Sequence, residues 1–127
     1  MSSPTVRTMQ ACREATCGKC PPWLKESRPL VTYEEVQTSF NTKKDLLGFI
    51  DVLCLCPPYM IGIQATTGGN VSARVKKICN ARAKHAWYWL NCGNASEVWG
   101  WRKYAKPVNG RWWRPRIIDI TEKDLNL

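Results

Sequence analysis

One carboxylate stands where a carboxylate is costly. Asp51 lies inside the apolar run Leu46 to Cys56, LLGFIDVLCLC, and a charge among such neighbours must be paired, hydrogen-bonded or bound to a metal. A second apolar run, Tyr59 to Thr67 (YMIGIQATT), follows Pro57-Pro58 and carries Gln64. Both runs read as buried strands joined by a tight connection. If Cys56 lies opposite Tyr59, counting back along the two strands sets Asp51 opposite Gln64. Directly opposed residues have Cβ atoms about 4.5–5.5 Å apart, so the two side-chain oxygens can reach one hard cation. Thr66 points to the same face as Gln64. Asp45 shares the face of Asp51 by parity, but in a straight strand it would lie about 20 Å away. It joins the site only if the strand bends, and Gly48 is the place for a bend. The competing reading is structural: Asp51 sits at a strand end and caps a backbone amide.

The elements that must position this pair follow from local pattern. Residues 1–30 have no sustained period, and Gly18, Pro21, Pro22 and Pro29 interrupt any helix begun between Val6 and Ala15. They read as an irregular Cys/Pro-rich lobe with at most one short helix, leaving 31–127 as the single core. Val31 to Phe40, rich in β-branched and aromatic residues, reads as a first strand carrying Glu34 and Glu35. After the second apolar run, Gly68-Gly69 ends the strand. Asn70 can then cap a helix running to about Asn91, with Gly93 as its stop. Val71, Val75, Ile78, Arg82, Ala86 and Trp89 make one stripe of that helix, and Arg74, Lys77, Ala81 and Lys84 another, mostly basic. Glu97 to Tyr104 and Arg111 to Ile120 read as two further strands around a turn at 107–110. The expected class is α/β or α+β, a mixed central sheet with one long helix after the hairpin.

The chain has 127 residues and a formal net charge of +9, from 19 Lys and Arg against 10 Asp and Glu. That size suits one core, and that sign favours a polyanionic partner such as nucleic acid. No stretch approaches the roughly 20 apolar residues that span a bilayer, and the first residues lack the apolar segment of a signal peptide. The expected location is therefore the cytoplasm, the host's if the chain is phage-encoded, with no membrane partner. The Asn-x-Ser sequons at Asn70 and Asn94 then carry no meaning. Seven cysteines in such a compartment read as thiols or metal ligands. Cys12, Cys17 and Cys20 look like part of a zinc site lacking its fourth ligand, for which Cys54, Cys56, Cys79 and Cys92 are candidates, although packing is the ordinary role of a buried cysteine. From Trp87 to Trp113 tryptophans alternate with Arg102, Lys103, Lys106 and Arg111, a pattern that serves core packing or base stacking. Trp87 and Trp89 face different ways, Trp99 and Trp101 the same way, and base stacking stays open for Trp112 or Trp113.

Four stretches carry a resemblance. Lys44 to Asp51 (KDLLGFID), Ile63 to Thr67 (IQATT), Ala73 to Ile78 (ARVKKI) and Glu97 to Lys103 (EVWGWRK) resemble small phage and bacterial proteins of the PD-(D/E)xK nuclease superfamily, which are similar to Holliday-junction resolvases and VRR-NUC nucleases. The likeness covers roughly residues 40–120 and implies a restriction-endonuclease-like fold. It also implies Mg²⁺ or Mn²⁺ held by Asp51 and Gln64, with a lysine two residues after the latter to orient or activate water. Here that position is Thr66, which supplies neither charge nor base near neutral pH. Lys77, Lys76 and Lys44 are the candidates to replace the lysine, and Arg74 is the candidate phosphate clamp. Asp45, Glu14, Glu34 and Glu35 compete as second carboxylate. Arg74, Lys76, Lys77, Lys84, Arg102 and Lys103 are expected on DNA phosphates, and resolvase-like proteins suggest a homodimer.

Three functions are thus expected in order: a Mg²⁺-dependent, structure-selective DNA endonuclease, a non-catalytic nucleic-acid-binding protein on the same fold, and a zinc-stabilised interaction module. Asp51 with Gln64 argues for the first, Thr66 for the second, and the N-terminal cysteines for the third.

Overall fold

A computed structural model of the chain describes residues 3–16, 32–35, 45–56, 58–108 and 111–127. Its centre is a hairpin. Strand β2 (Val52–Cys56) pairs antiparallel with β3 (Tyr59–Thr67), with Cys56 opposite Tyr59 as expected and Val52 opposite Ile63 as the last pair, one short of Asp51 and Gln64. Strand β1 (Thr32–Glu35) adds antiparallel to β2. It falls within the expected 31–40 strand, of which residues 31 and 36–40 lie outside the described residues. β4 (Ala95–Val108) runs parallel to β3, and β5 (Arg111–Ile120) antiparallel to β4, giving one mixed sheet in the order β1-β2-β3-β4-β5. The class is α+β. A parallel β3–β4 pair needs a crossover, and helices α2 (Val71–Cys79) and α3 (Ala83–Asn91) supply it.

The alternation of side chains along β3 makes two cores. Ile61 and Ile63 face one side, with Val52, Cys54, Trp99 and Trp101. Helix α1 (Pro4–Thr16) covers that side, burying Ala11 and Cys12 against it. Trp101 Nε1 donates to Thr8 Oγ1 at 2.9 Å, and the Cys12 and Cys54 sulfurs lie 3.3 Å apart. Thr8, Ala11 and Cys12 are therefore buried in the core, so the helix that carries them packs on the sheet and not in a separate lobe. The breakers from Gly18 on lie outside the described residues, and none falls between Pro4 and Thr16. On the opposite side Phe49, Ile50, Val71, Ile78, Ala86, Trp89, Val98 and Ile120 form the second core. Among the described residues no helix is long and apolar enough to cross a membrane.

Two expected elements come out differently. The long helix is two helices, broken at 80–82. Asn80, a weak helix former that competes for backbone partners, turns its Nδ2 back to Lys76 O, while Arg82 N reaches Lys77 O. The C-terminal segment seals the break, with Asn126 N donating to Cys79 O at 2.8 Å and Asn126 Nδ2 to Asn80 Oδ1 at 2.7 Å. Gly93, at φ +87°, ends α3 as expected. Asn70 stands at the N-cap of α2, but its Nδ2 donates to Thr67 Oγ1 and does not cap.

The expected strand 46–56 is a strand only from Val52. Before it, residues 45–50 close a tight turn in which Leu46 N donates to Ile50 O and Gly48 N to Asp45 O, with Leu47 at φ 56° and Gly48 at φ 83°. Gly48 is required by its backbone conformation, since its φ suits glycine. The end of the flexible Arg82 side chain packs against it, with Cζ 2.6 Å from where a Cβ would sit.

Close approach fixes Gly100, whose added Cβ would run into Val71 Cγ2 and lie 3.2 Å from Gly68 Cα, whereas nothing lies within 4 Å of a Cβ on Gly69. Gly100→Ala is expected to cost about 1–3 kcal/mol through overpacking between β4 and α2, and Gly69→Ala less than about 0.5 kcal/mol. Urea unfolding of the two variants beside the parent checks the difference.

Candidate functional site

β3 presents Gln64 and Thr66 to the side covered by α2, α3 and the 45–50 turn, and both are buried, at 3% and 5% exposure. Asp51 stands just before β2, where the ladder ends, and its N–H donates to Ile63 O at 3.0 Å, one residue out of the hairpin register. Its carboxylate accepts the Ala65 N–H at Oδ1 (3.0 Å) and Oδ2 (3.2 Å), and Oδ2 accepts Gln64 Nε2 at 3.0 Å. The strand-end capping role and a side-chain contact with Gln64 thus coexist in one carboxylate. The turn at Gly48 folds Asp45 back onto the same amide, with Gln64 Nε2 donating to Asp45 Oδ2 at 3.1 Å. Asp45 is the second carboxylate of the cluster. The side chains of Glu14, Glu34 and Glu35 lie outside the described residues.

The cluster is electrostatically tense. Burial pushes the Asp51 carboxyl up to about 7, the Asp45 charge adds to that rise, and the hydrogen bonds from Ala65 N–H and Gln64 Nε2 oppose it. Gln64 Oε1 is buried and has no hydrogen-bond partner among the described residues. A buried acceptor left unmet costs about 1–3 kcal/mol. Oxygen and nitrogen of an amide occupy interchangeable places. With Nε2 between the carboxylates the amide satisfies both, and with Oε1 there three oxygens would face one another, an arrangement that only a cation makes favourable. Three oxygen donors suit a hard ion such as Mg²⁺ or Mn²⁺ better than zinc. The residues fit such an ion. Among the described residues no group of three His, Cys, Asp or Glu side chains is placed to hold a metal, so the oxygen set depends on Gln64 for its third member.

The expected basic residues divide by position. Ser72, Lys76 and Cys79 line a groove between α2, β5 and the C-terminal segment, which puts half-buried Arg74 and Lys77 on the opposite flank of α2, toward β3 and the hairpin. Lys76, exposed and on the β5 flank, is separated from the carboxylates. Lys84 is exposed on α3, and Arg102 and Lys103 are exposed on β4 beyond the end of β3. Lys44 lies outside the described residues. Arg82 is the basic group the sequence reading passed over. At the break between α2 and α3, its guanidinium lies against Gly48 in the turn that delivers Asp45. The signal was there, since a charge inside the apolar stripe of a helix is as conspicuous as Asp51 inside an apolar strand.

The cysteines separate from this site. Cys12 is buried against Cys54 on the other side of the sheet, and Cys17 and Cys20 lie outside the described residues. Cys79 is buried in the α2–α3 core and Cys92 is exposed. His85 is exposed on α3.

A carboxyl raised from 3.8 to about 7 holds its proton more tightly in the folded than in the unfolded chain. Its contribution to stability is full below about pH 4 and is lost as pH rises through 7. In EDTA, the parent protein is expected to lose stability between about pH 5 and pH 8 relative to Asp51→Asn, which carries no titrating group there. Denaturation midpoints of both proteins across that range measure it, and parallel curves would show that Asp51 is not held protonated.

Comparison with protein-family models, with characterised proteins and with solved structures gives no match to this chain.

Proposed function

We propose that this chain is a metal-dependent deoxyribonuclease that hydrolyses phosphodiester bonds, with branched or otherwise structured DNA as its substrate. The observation that carries the reading is the convergence of Asp45, Asp51 and Gln64 with one buried amide oxygen left over. The net charge of +9 supports a polyanionic substrate, and the resemblance around Asp51 and Gln64 points to the PD-(D/E)xK superfamily and its restriction-endonuclease-like fold. Asp45, Asp51 and Gln64 Oε1 would hold Mg²⁺ or Mn²⁺, which when bound lowers the pKa of its water and offsets charge on the scissile phosphate.

The chain's own residues do the rest. Ala65 N–H fixes the Asp51 carboxylate against β3, so its direction is set before any ligand arrives. Asp45 is carried on a turn against which the Arg82 guanidinium lies. Arg74 and Lys77, on the hairpin flank of α2, are the groups to meet backbone phosphates. Such contacts read backbone shape more than sequence. With Thr66 in place of a lysine, the proton of the attacking water has no amine at that position to receive it, and Lys77 is the candidate substitute. A non-catalytic DNA-binding protein on the same scaffold is the second reading, and the burial of Thr66 in that position is what favours it.

Incubation with labelled four-way junction, flap, single-stranded and duplex DNA in Mg²⁺, Mn²⁺ or EDTA is expected to give divalent-dependent cleavage. Asp51→Asn should abolish it while leaving DNA affinity unchanged or higher, because a negative charge beside the phosphate is removed. Lys77→Ala should behave likewise if Lys77 serves as the missing lysine, whereas Arg74→Ala should weaken binding as well. No cleavage with any of these ions, together with binding indifferent to Asp51, would leave the binding protein as the function. In either case affinity should fall steeply with salt, by about a thousandfold between 50 and 200 mM if about six phosphates are contacted, as measured by anisotropy titration.

A further inference from the structure

The β4–β5 hairpin runs on past the sheet. β3 pairs with β4 as far as Thr67 opposite Trp101, whereas β4 continues to Val108 and β5 starts at Arg111. From Arg102 onward only β4 and β5 pair among the described residues, at Arg102–Arg114, Lys103–Trp113 and, after a register shift, Val108–Arg111. Such a ribbon is marginal unless something packs on it, yet Tyr104 and Trp112 stay 42% and 46% exposed there. The adjacent Trp113 shows the contrast, since it packs against the α1 core with Arg7 Cζ 4.0 Å from its ring centroid.

Charge on the ribbon is one-sided. Between Glu97 and Asp119 the sequence contains Arg102, Lys103, Lys106, Arg111, Arg114 and Arg116 and no acid. Arg102 stands directly opposite Arg114, a pairing of like charges that destabilises a ladder unless an anion lies between them. The cations flank the exposed rings, with Arg114 Cζ 5.4 Å from the Tyr104 centroid and Lys103 Nζ 5.6 Å from that of Trp112.

We propose that this ribbon holds an unpaired nucleic-acid strand, with bases stacked on Trp112 and Tyr104 and phosphates on Arg102, Lys103 and Arg114. Exposed aromatic faces beside guanidinium and ammonium groups take any base, because every base has a π-face. Bases within a duplex are already stacked and cannot use them. Gln64 lies opposite Val98, and Tyr104 is six residues further along β4, about 20 Å at 3.3 Å per residue. The ribbon would thus hold an unpaired arm about 20 Å from the carboxylates, which makes DNA with single-stranded arms the substrate class. The inference rests on the nucleic-acid part of the proposed function and not on cleavage.

The test is anisotropy titration, in EDTA, of fluorescein-labelled oligodeoxythymidine and of a blunt duplex. Stacking on each ring is worth about 5- to 150-fold in affinity. The double variant Tyr104→Ala/Trp112→Ala should therefore lose at least about tenfold on the oligothymidine and stay within about twofold on the duplex, while Trp112→Phe keeps most of the affinity. Arg102→Glu should weaken both. Unchanged unfolding midpoints confirm that the variants are folded. Equal losses on both probes would reduce the ribbon to an electrostatic contact and overturn the inference, as would no loss at all. The two readings separate cleanly. Aromatic-dependent oligothymidine binding without divalent-dependent cleavage sinks the nuclease alone, and cleavage dependent on Asp51 with oligothymidine binding indifferent to both rings sinks the ribbon alone.

Discussion

A carboxylate under apolar cover has to be answered, and much of this molecule is arranged around the answer given to Asp51. The Ala65 N–H and the Gln64 amide both turn to it. Those bonds hold the start of β2 against the middle of β3, where a slip of one residue would send Gln64 to the other side of the sheet. The same amide ties down Asp45 and with it the 45–50 turn, whose Phe49 and Ile50 enter the core beneath α2 and α3. One polar cluster therefore sets the strand register, the shape of the preceding turn and the docking of the crossover helices. The proposed chemistry uses the strain that remains, a carboxyl displaced to about 7 and an amide oxygen with no partner among the described residues.

The hairpin was legible because periodicity, the proline pair and the two polar residues in apolar runs all agreed on one register, and β3 falls on the expected residues. The turn before it was half legible. Gly48 marked where a bend could come, but nothing local said that it would, because LLGFID is as apolar as the strand it precedes. The break between α2 and α3 was hidden for a related reason. The stripe from Val71 to Trp89 keeps helical spacing across residues 80–82, and the contact of Asn126 with Asn80 and Cys79 adds to the local bonds of Asn80 and Arg82 in holding the interruption. That contact joins residues 46 apart in sequence, beyond the reach of any local pattern.

Helix α1 was underestimated because its partners lie far along the chain. Its mixed composition gives no sustained stripe, and Thr8 and Cys12 become core residues only when Trp101 and Cys54 are brought to them. The tryptophans sorted partly by parity. Trp99 and Trp101 share a buried side as alternation requires, while the different surroundings of Trp112 and Trp113 depend on where α1 packs.

The separations in sequence have a further meaning. The bonds that build the carboxylate cluster join residues 13 and 19 apart, whereas the bond that seats α1 on the sheet spans 93. Closing a short loop costs less entropy than closing a long one, so the cluster is a local assembly within a fold whose outer layer is held by distant contacts. Thermal opening that lifts α1 from one side of the sheet need not disturb the geometry on the other. The two sides of β3 thus divide the labour, with long-range packing on the first and a short-range polar knot on the second.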